Sequence, residues 1–217
     1  MQDLHVYHDR EPRAAAINMA LDEALFEYAT VPSLRFYSWA RTSLSFGYFG
    51  LFAEVADQIQ ERDIVRRWTG GGIVLHGTDL TYSVILPRKD SAPQLQSREV
   101  YAQIHDAICR ALSPSMNAQL AAANSPTVSA SCFANPVAAD VLVGGKKIAG
   151  AAHRRTRAGL LHQGSIQGEP LPTEFPHQFA AHLCPSFETR AFPSEILARA
   201  EILARDKYGT DAWLRQR

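Results

Sequence analysis

Short runs of β-branched and aromatic residues recur through the first half of the chain and commit it to a fold built on sheet. Leu34 to Trp39, Leu44 to Phe49, Ile64 to Trp68, Ile73 to Leu75 and Leu80 to Leu86 each read as a strand. The glycine cluster Arg66-Arg67-Trp68-Thr69-Gly70-Gly71-Gly72 joins two of them, so sheet surrounds it. Further strands are predicted at about 140 to 144, 146 to 154 and 159 to 166, closing a hairpin-rich unit.

Helices punctuate this pattern. Ile17, Ala20, Leu21, Ala24, Leu25 and Tyr28 recur at helical spacing with Asn18, Asp22, Glu23 and Glu27 on the other face, which predicts an amphipathic helix over about 15 to 29, stopped by Pro32. A second stripe, Tyr101, Ile104, Ile108 and Leu112, predicts a helix over about 97 to 112, with Cys109 beside the stripe in a packing role. Ser113 to Asn135, rich in Ala, Ser, Asn and Pro, reads as loop, and Pro170, Pro172 and Pro176 mark a connector before a last helix near 194 to 208. At 217 residues the chain is long enough for one core. We expect a single domain over 1–217 whose final part, from about 169, is a short helical tail.

Charge and cysteine content narrow the class of function. Lys+Arg and Asp+Glu both number 22, so no global basic field exists to hold nucleic acid. The 3 cysteines, Cys109, Cys132 and Cys184, lack metal-ligand spacing and leave an odd one over from any pairing, which argues against zinc and suits a reducing cytoplasm. The polar, charged segment Met1 to Arg13 is no signal core, and no apolar run reaches ~18 residues, so neither nucleic acid nor membrane is an expected partner.

The chemistry concentrates between Cys132 and Lys147. A thiol in the loop Ser131-Cys132-Phe133-Ala134-Asn135-Pro136 precedes a Gly144-Gly145 turn presenting Lys146 and Lys147. A nearby ammonium raises the thiolate fraction of a cysteine, and the thiolate is the nucleophile. The same residues also read as a small apolar side chain and a solvated hairpin tip. Neighbours in a strand face opposite sides, so only one of the two lysines can face such a thiol. The glycine cluster lets backbone amides approach a ligand while Arg66 and Arg67 neutralise a carboxylate or phosphate, or it is simply a tight turn; no Gly-Lys-Ser/Thr follows, so it is not a P-loop. His76 either lines a cavity beside that turn or is a hydrogen-bonded structural residue. The run His153 to Arg157 is a solvated hairpin end or a dock for an acidic carrier protein. Cys184 has no evident activating partner.

Several ordered motifs together resemble the lipoate/octanoate protein ligase and transferase family. They are Ile17-Asn18-Met19-Ala20-Leu21-Asp22-Glu23-Ala24, Leu34-Arg35-Phe36-Tyr37-Ser38-Trp39, Ser45-Phe46-Gly47-Tyr48-Phe49, Arg66 to Gly72, Leu80-Thr81-Tyr82-Ser83-Val84, Gly145 to Ala152, Leu161-His162-Gln163-Gly164-Ser165-Ile166 and Lys207 to Trp213. The resemblance implies an α+β fold of two packed mixed/antiparallel sheets with flanking helices, shared with the biotin protein ligase catalytic domain. It implies that Lys147 is the active-site lysine and that Arg66, Arg67, Thr69, Gly70, Gly71, Gly72, His76, Gly150, Ala151 and His162 form the acyl site. Octanoyltransferases of the Gram-positive type carry a Cys-Phe before the hairpin lysine, as Cys132-Phe133 does, which ATP-dependent ligases generally lack.

The resemblance thus implies octanoyl transfer from acyl carrier protein to a lysine of a lipoyl domain or glycine-cleavage carrier protein, through a thioester on Cys132 and without cofactor. An ATP- and magnesium-dependent lipoate ligase, or a catalytically silent module binding carrier or lipoyl domains, are the alternatives. His76-Gly77 departs from the His-Asp pair found in ligases and many of these transferases, and the segment beyond residue 168 is shorter than in the matched transferases. Asp140 falls where ligases place an aspartate near nucleotide and metal.

Overall fold

The structure, a computed structural model, describes residues 3–88, 96–113, 115–124 and 135–216. The first strand, β1 (Leu4–His8), leads into helix α1 (Ala15–Tyr28) and then β2 (Ser33–Tyr37), every residue of which is buried. A strand buried on both faces must offer each face something to bind, and β2 does so by alternation. Leu34 and Phe36 join the core under the later helices, while Tyr37 joins the core under α1 and Arg35 meets α1 itself.

The chain continues through β3 (Ser43–Phe46), two 3₁₀ turns (Phe52–Glu54 and Ala56–Gln60), β4 (Asp63–Arg66), β5 (Val74–His76) and β6 (Leu80–Pro87). Helix α2 (Ser97–Leu112) precedes β7 (Ala118–Leu120), β8 (Val141–Val143), β9 (Lys146–Arg155) and β10 (Gly159–Ile166). After these come α3 (Phe175–Leu183), β11 (Phe187–Arg190), α4 (Ser194–Leu203), a π turn (Ala204–Tyr208) and α5 (Asp211–Leu214). Eight strands form one mixed sheet in the order β11-β1-β2-β6-β10-β9-β8-β7, and β4-β3-β5 form a smaller one. Strand β1 runs parallel to β2 and β11, and β3 runs parallel to β4; the other pairings are antiparallel.

Helices α2 and α3 cover one face of the large sheet through Val100, Ile104, Ile108, Phe175 and Phe179. Helices α1 and α4 cover the other through Leu21, Leu25, Ile196 and Leu203. The expected α+β architecture of two sheets with flanking helices is therefore the observed one. Predicted helices 15–29 and 97–112 stand within a residue of their observed ends, and the strands over 141–166 are the expected hairpins.

The differences have physical causes. Helix α3 occupies the stretch read as a proline connector, because Pro176 sits in its first turn, where a missing N–H costs nothing. Strand β11 then pairs in parallel with β1, so the last part of the chain contributes a strand to the sheet as well as helices. Strand β7 lies in the stretch read as loop and pairs with β8. Asn18, Asp22 and Glu23, read as the wet face of α1, are buried, whereas Tyr28, read as apolar-face, is 48% exposed. The correction follows from their partners: Arg35 binds Asp22 and Asn18, and Lys207 with Tyr208 binds Glu23.

Arg35 has no exposed surface. Its Nη1 donates to Asp22 Oδ1 at 2.7 Å and to the Asn18 carbonyl at 2.9 Å, and its Nη2 to Asp9 Oδ2 at 2.6 Å and Asn18 Oδ1 at 2.8 Å. Removing Arg35 leaves the Asp22 carboxylate buried without a counter-charge and leaves Asp9 only Arg13, 3.1 Å away. Arg35→Met is expected to lose about 3–5 kcal/mol of unfolding free energy in urea titration. A loss below about 1 kcal/mol would show that desolvation already cancels the pair.

Candidate active site

A cleft of about 490 Å³, counted out to its open mouth, lies between the two sheets. Met19, Tyr37, Trp39, Val74, Ala151 and Ala152 give it apolar walls, and Ser45, Arg67, His76, Thr81, Lys147, Gln163 and Ser165 give it polar groups. That balance, mostly apolar surface with a few convergent polar atoms, suits a small ligand with a hydrocarbon part and one reactive end.

The glycine cluster is both turn and wall. Gly71 has φ +86°, a conformation that favours glycine, and it lines the cleft. A Cβ on Gly47 would sit 2.0 Å from the Gly71 carbonyl oxygen, so two backbones meet here without side chains between them. Arg67 pins the turn, donating through Nη2 to the Gly70 and Gly72 carbonyls at 3.0 and 2.8 Å. Thr69 stands behind the wall and donates to Gln163 Oε1 at 2.7 Å. Arg66 points elsewhere: its guanidinium gathers the carbonyls of Tyr48, Gly50, Trp213, Leu214 and Gln216 at 2.7–3.0 Å, fastening the end of the chain to the small sheet.

On the opposite wall, Lys147 Nζ lies 2.8 Å from Asp140 Oδ2 and its side chain is 5% exposed, while Lys146 is exposed. Strand alternation therefore gives the cleft Lys147 and gives solvent its neighbour. Asp140 also accepts from Tyr101 Oη at 2.5 Å and from the Val137 N–H at 2.7 Å, and Tyr101 Oη accepts from the Ala151 N–H at 3.1 Å. Gly150 supplies the room. A Cβ there would lie 2.5 Å from Lys147 Cε and 2.7 Å from Nζ.

His76 stands across the cleft in a hydrogen-bonded row. Its Nε2 is 2.7 Å from Ser45 Oγ and its Nδ1 is 2.8 Å from Asp79 Oδ2. Thr81 and Ser165 hydroxyls and the Gly77 N–H also donate to Asp79. Burial alone would raise the Asp79 carboxyl, but the bonds from His76, Ser165 and Gly77 outweigh it and hold it below the usual range. Burial lowers His76, and Asp79 only partly offsets this. Trp39 stacks on the imidazole with ring centroids 4.0 Å apart. Asp79 is thus the carboxylate partner of His76, although Gly77 follows the histidine directly.

Of the residues expected at the site, the cleft brings together Arg67, Gly71, His76, Lys147, Gly150 and Ala151. Arg66, Thr69, Gly70, Gly72 and His162 lie outside its lining, and Cys132 lies outside the described residues. Sequence reasoning passed over Ser45, Asp79 and Gln163; the Gly77-Thr78-Asp79 run after His76 was the available signal for one of them.

His162 faces the other side of β10. There its Nε2 and that of His105 each lie 3.1 Å from Tyr82 Oη, with His153 stacked edge-on to His162 at 4.8 Å. Burial pushes His162 well below the usual value and both His105 and His153 down to about 4. Cys109 is held as a thiol, burial pushing it up to about 11.

The arrangement defines a ligand cleft with apolar walls and a buried, carboxylate-held lysine, between a large mixed sheet and a small one. The chain belongs to the lipoyl protein ligase A/B catalytic domain family, whose pattern matches residues 14–180. It is 36% identical over 177 residues to octanoyltransferase LipM of Oceanobacillus iheyensis, covering 76% of this chain and 64% of that protein. It is 29% identical over 264 residues to octanoyltransferase LipM of Brevibacillus brevis, covering 94% and 95%. The chain thus spans slightly under two thirds of the first of these relatives. A solved structure of a candidate lipoate protein ligase from T. acidophilum, with lipoic acid bound, superposes with a TM-score of 0.79 over 99% of each chain at 19% identity, which shows the shared fold.

The histidine cluster predicts an acid limit to stability. In the unfolded chain His105 titrates near 6.5 and in the folded protein near 4, so between these values the unfolded state binds more protons. Stability is complete above the unfolded value and falls as pH drops toward 4, by about 3 kcal/mol for this group. Urea midpoints measured down this range should fall steeply in wild type and less in His105→Gln. Equal slopes would remove His105 from the account.

Proposed function

We propose that the protein is an octanoyltransferase, carrying an octanoyl group from acyl carrier protein to a lysine amine of a lipoyl domain or glycine-cleavage carrier protein. The observation that carries this reading is the buried Lys147 ammonium, held by Asp140 and presented over Gly150 into an apolar-walled cleft. The identity to octanoyltransferases supports it.

Cys132 as thiolate attacks the thioester carbonyl of the donor, the carrier's thiol leaves, and the acyl group is held as an enzyme thioester. Lys147 favours the thiolate by its charge and serves as the proton source for the departing thiol. The acceptor amine then attacks, an amide forms, and the cysteine is released. Burying about six methylenes at ~0.8 kcal/mol each contributes roughly 5 kcal/mol, so contacts with the two carrier domains must supply the rest of the binding and the orientation. Arg154 lies over the rings of Tyr48 and Trp68 at 4.8 and 4.7 Å, a cationic and aromatic surface suited to an acidic carrier.

A ligase reading would use ATP and magnesium to activate a free acid. Against it stands the engagement of Asp140: one oxygen takes Tyr101 and the other takes Lys147 and the Val137 N–H. A thioester donor already carries its activation. Purified protein with octanoyl-carrier protein, acceptor domain and excess EDTA is expected to form product, whereas product only with free acid, ATP and magnesium together would replace the transferase by a ligase. In the same assay Lys147→Ala should cost about 100-fold or more and Lys146→Ala little, since general acid–base groups contribute on that scale. Equal losses would show that the lysines act only as general charge.

A further inference from the structure

The whole chain balances 22 basic against 22 acidic residues, yet five arginines gather where β6 ends, α2 starts and β9 turns into β10. Two contacts bring these segments together: the Arg88 N–H donates to the Ala158 carbonyl at 2.8 Å, and Arg155 Nε donates to Ser97 Oγ at 3.2 Å. Arg88, Arg98, Arg155 and Arg157 are exposed, and the Arg154 guanidinium lies on Tyr48 and Trp68. Arg154 and Arg155 leave the strand on opposite faces, so the charge wraps the hairpin end of the sheet. Among the described residues of 86–88, 96–99 and 154–159 the one carboxylate is Glu99, which caps α2 by accepting from the Gln96 N–H at 2.7 Å. Such a cluster repels itself in the free protein and is relieved by an acidic surface laid over it. Phe49, 66% exposed, packs edge-on to Tyr48 at 5.2 Å, and arginine held among aromatic rings is the make-up of a protein interface anchor.

We propose, resting on the transferase reading, that this arginine end docks the acyl donor, an acidic carrier protein that holds its thioester on a long flexible arm, and does not dock the acceptor. Lys147 stands near the start of β9 and Arg155 ends it, which sets them about 26 Å apart along the strand at ~3.3 Å per residue. A partner seated on the arginines reaches Lys147 only with a group on an arm of that order. Between the two, β9 offers the cleft Gly150, Ala151 and Ala152, small residues that leave room along this wall. The acceptor carries its lysine on its own surface and must bring that surface to the Lys147 end of the strand. The two carriers therefore use different ends of β9 and do not compete for the arginines.

The test reads binding and transfer separately. Fluorescently labelled octanoyl-carrier protein and labelled lipoyl acceptor domain are each titrated with the protein, at low and at high salt, and followed by anisotropy. Arg155→Glu with Arg157→Glu, and Arg98→Glu on a different element, are expected to weaken donor binding about 10-fold or more at low salt, with the loss shrinking at high salt and acceptor binding unchanged. Arg110→Glu, in the last turn of α2, should change neither. In the transfer assay the same patch variants should raise KM for the donor far more than they lower kcat, and leave KM for the acceptor as it was. Donor binding and KM undiminished by both patch variants, or acceptor binding weakened as much, would overturn the docking assignment and leave the transferase reading standing. Loss of binding to anionic vesicles or to duplex DNA in these variants, with the donor carrier unaffected, would give the patch to a membrane or to nucleic acid and overturn it likewise. A wild type that forms no product from octanoyl-carrier protein would overturn the transferase reading and the docking with it.

Discussion

The carboxylate of Asp22 is the point on which the rest of the molecule depends. It has no exposed surface and sits mid-helix, where an unpaired charge would be among the costliest groups a protein can bury. Four donors from three strands meet it. Arg35 Nη1 and Ser83 Oγ bind Oδ1 at 2.7 Å each, and Tyr37 Oη and Gln163 Nε2 bind Oδ2 at 3.0 and 2.7 Å. Helix α1 is thereby registered on β2, β6 and β10 at once. Apolar packing under the helix is tolerant of sliding, whereas hydrogen bonds to a charge are short and directional.

The same carboxylate reaches the ligand cleft. Gln163 gives its amide N–H to Asp22 and accepts from Thr69 at 2.7 Å, so the glycine turn of the small sheet is tied through one side chain to the large sheet. Met19, one helical turn before Asp22, becomes a wall of the cleft. At the cleft's two polar stations the device is repeated: Asp140 holds Lys147, and Asp79 holds His76. Each buried carboxylate is crowded with donors, so none is left to act as a stray charge beside an apolar wall.

Much of this was legible in the residues. Runs of β-branched and aromatic residues marked the central strands, a periodicity of 3.6 marked both long helices, and alternation in a strand required Lys146 and Lys147 to diverge. The phase of that alternation was not legible. Whether Arg66 or Arg67, or His162 or Gln163, faces the cleft depends on which side of the sheet the helices cover. Polar Asn18 and Asp22 read as solvent-facing because their partner, Arg35, approaches only when β2 lies under α1. Ser45 and His76 meet through antiparallel pairing of β3 with β5, in which Ser43 stands opposite His76, a register no local window contains. Helix α3 was hidden by its proline, and the Arg66 clamp reaches carbonyls 147 to 150 positions away along the chain.

The octanoyltransferase we propose would carry an activated eight-carbon acyl group on the enzyme itself. The most direct measurement is the intact mass of the protein after mixing with octanoyl-carrier protein in the absence of acceptor. One octanoyl adduct, removed by hydroxylamine, absent from Cys132→Ala and present in Cys109→Ala and Cys184→Ala, is the predicted result. No adduct on the wild type, or an undiminished adduct on Cys132→Ala, would contradict it.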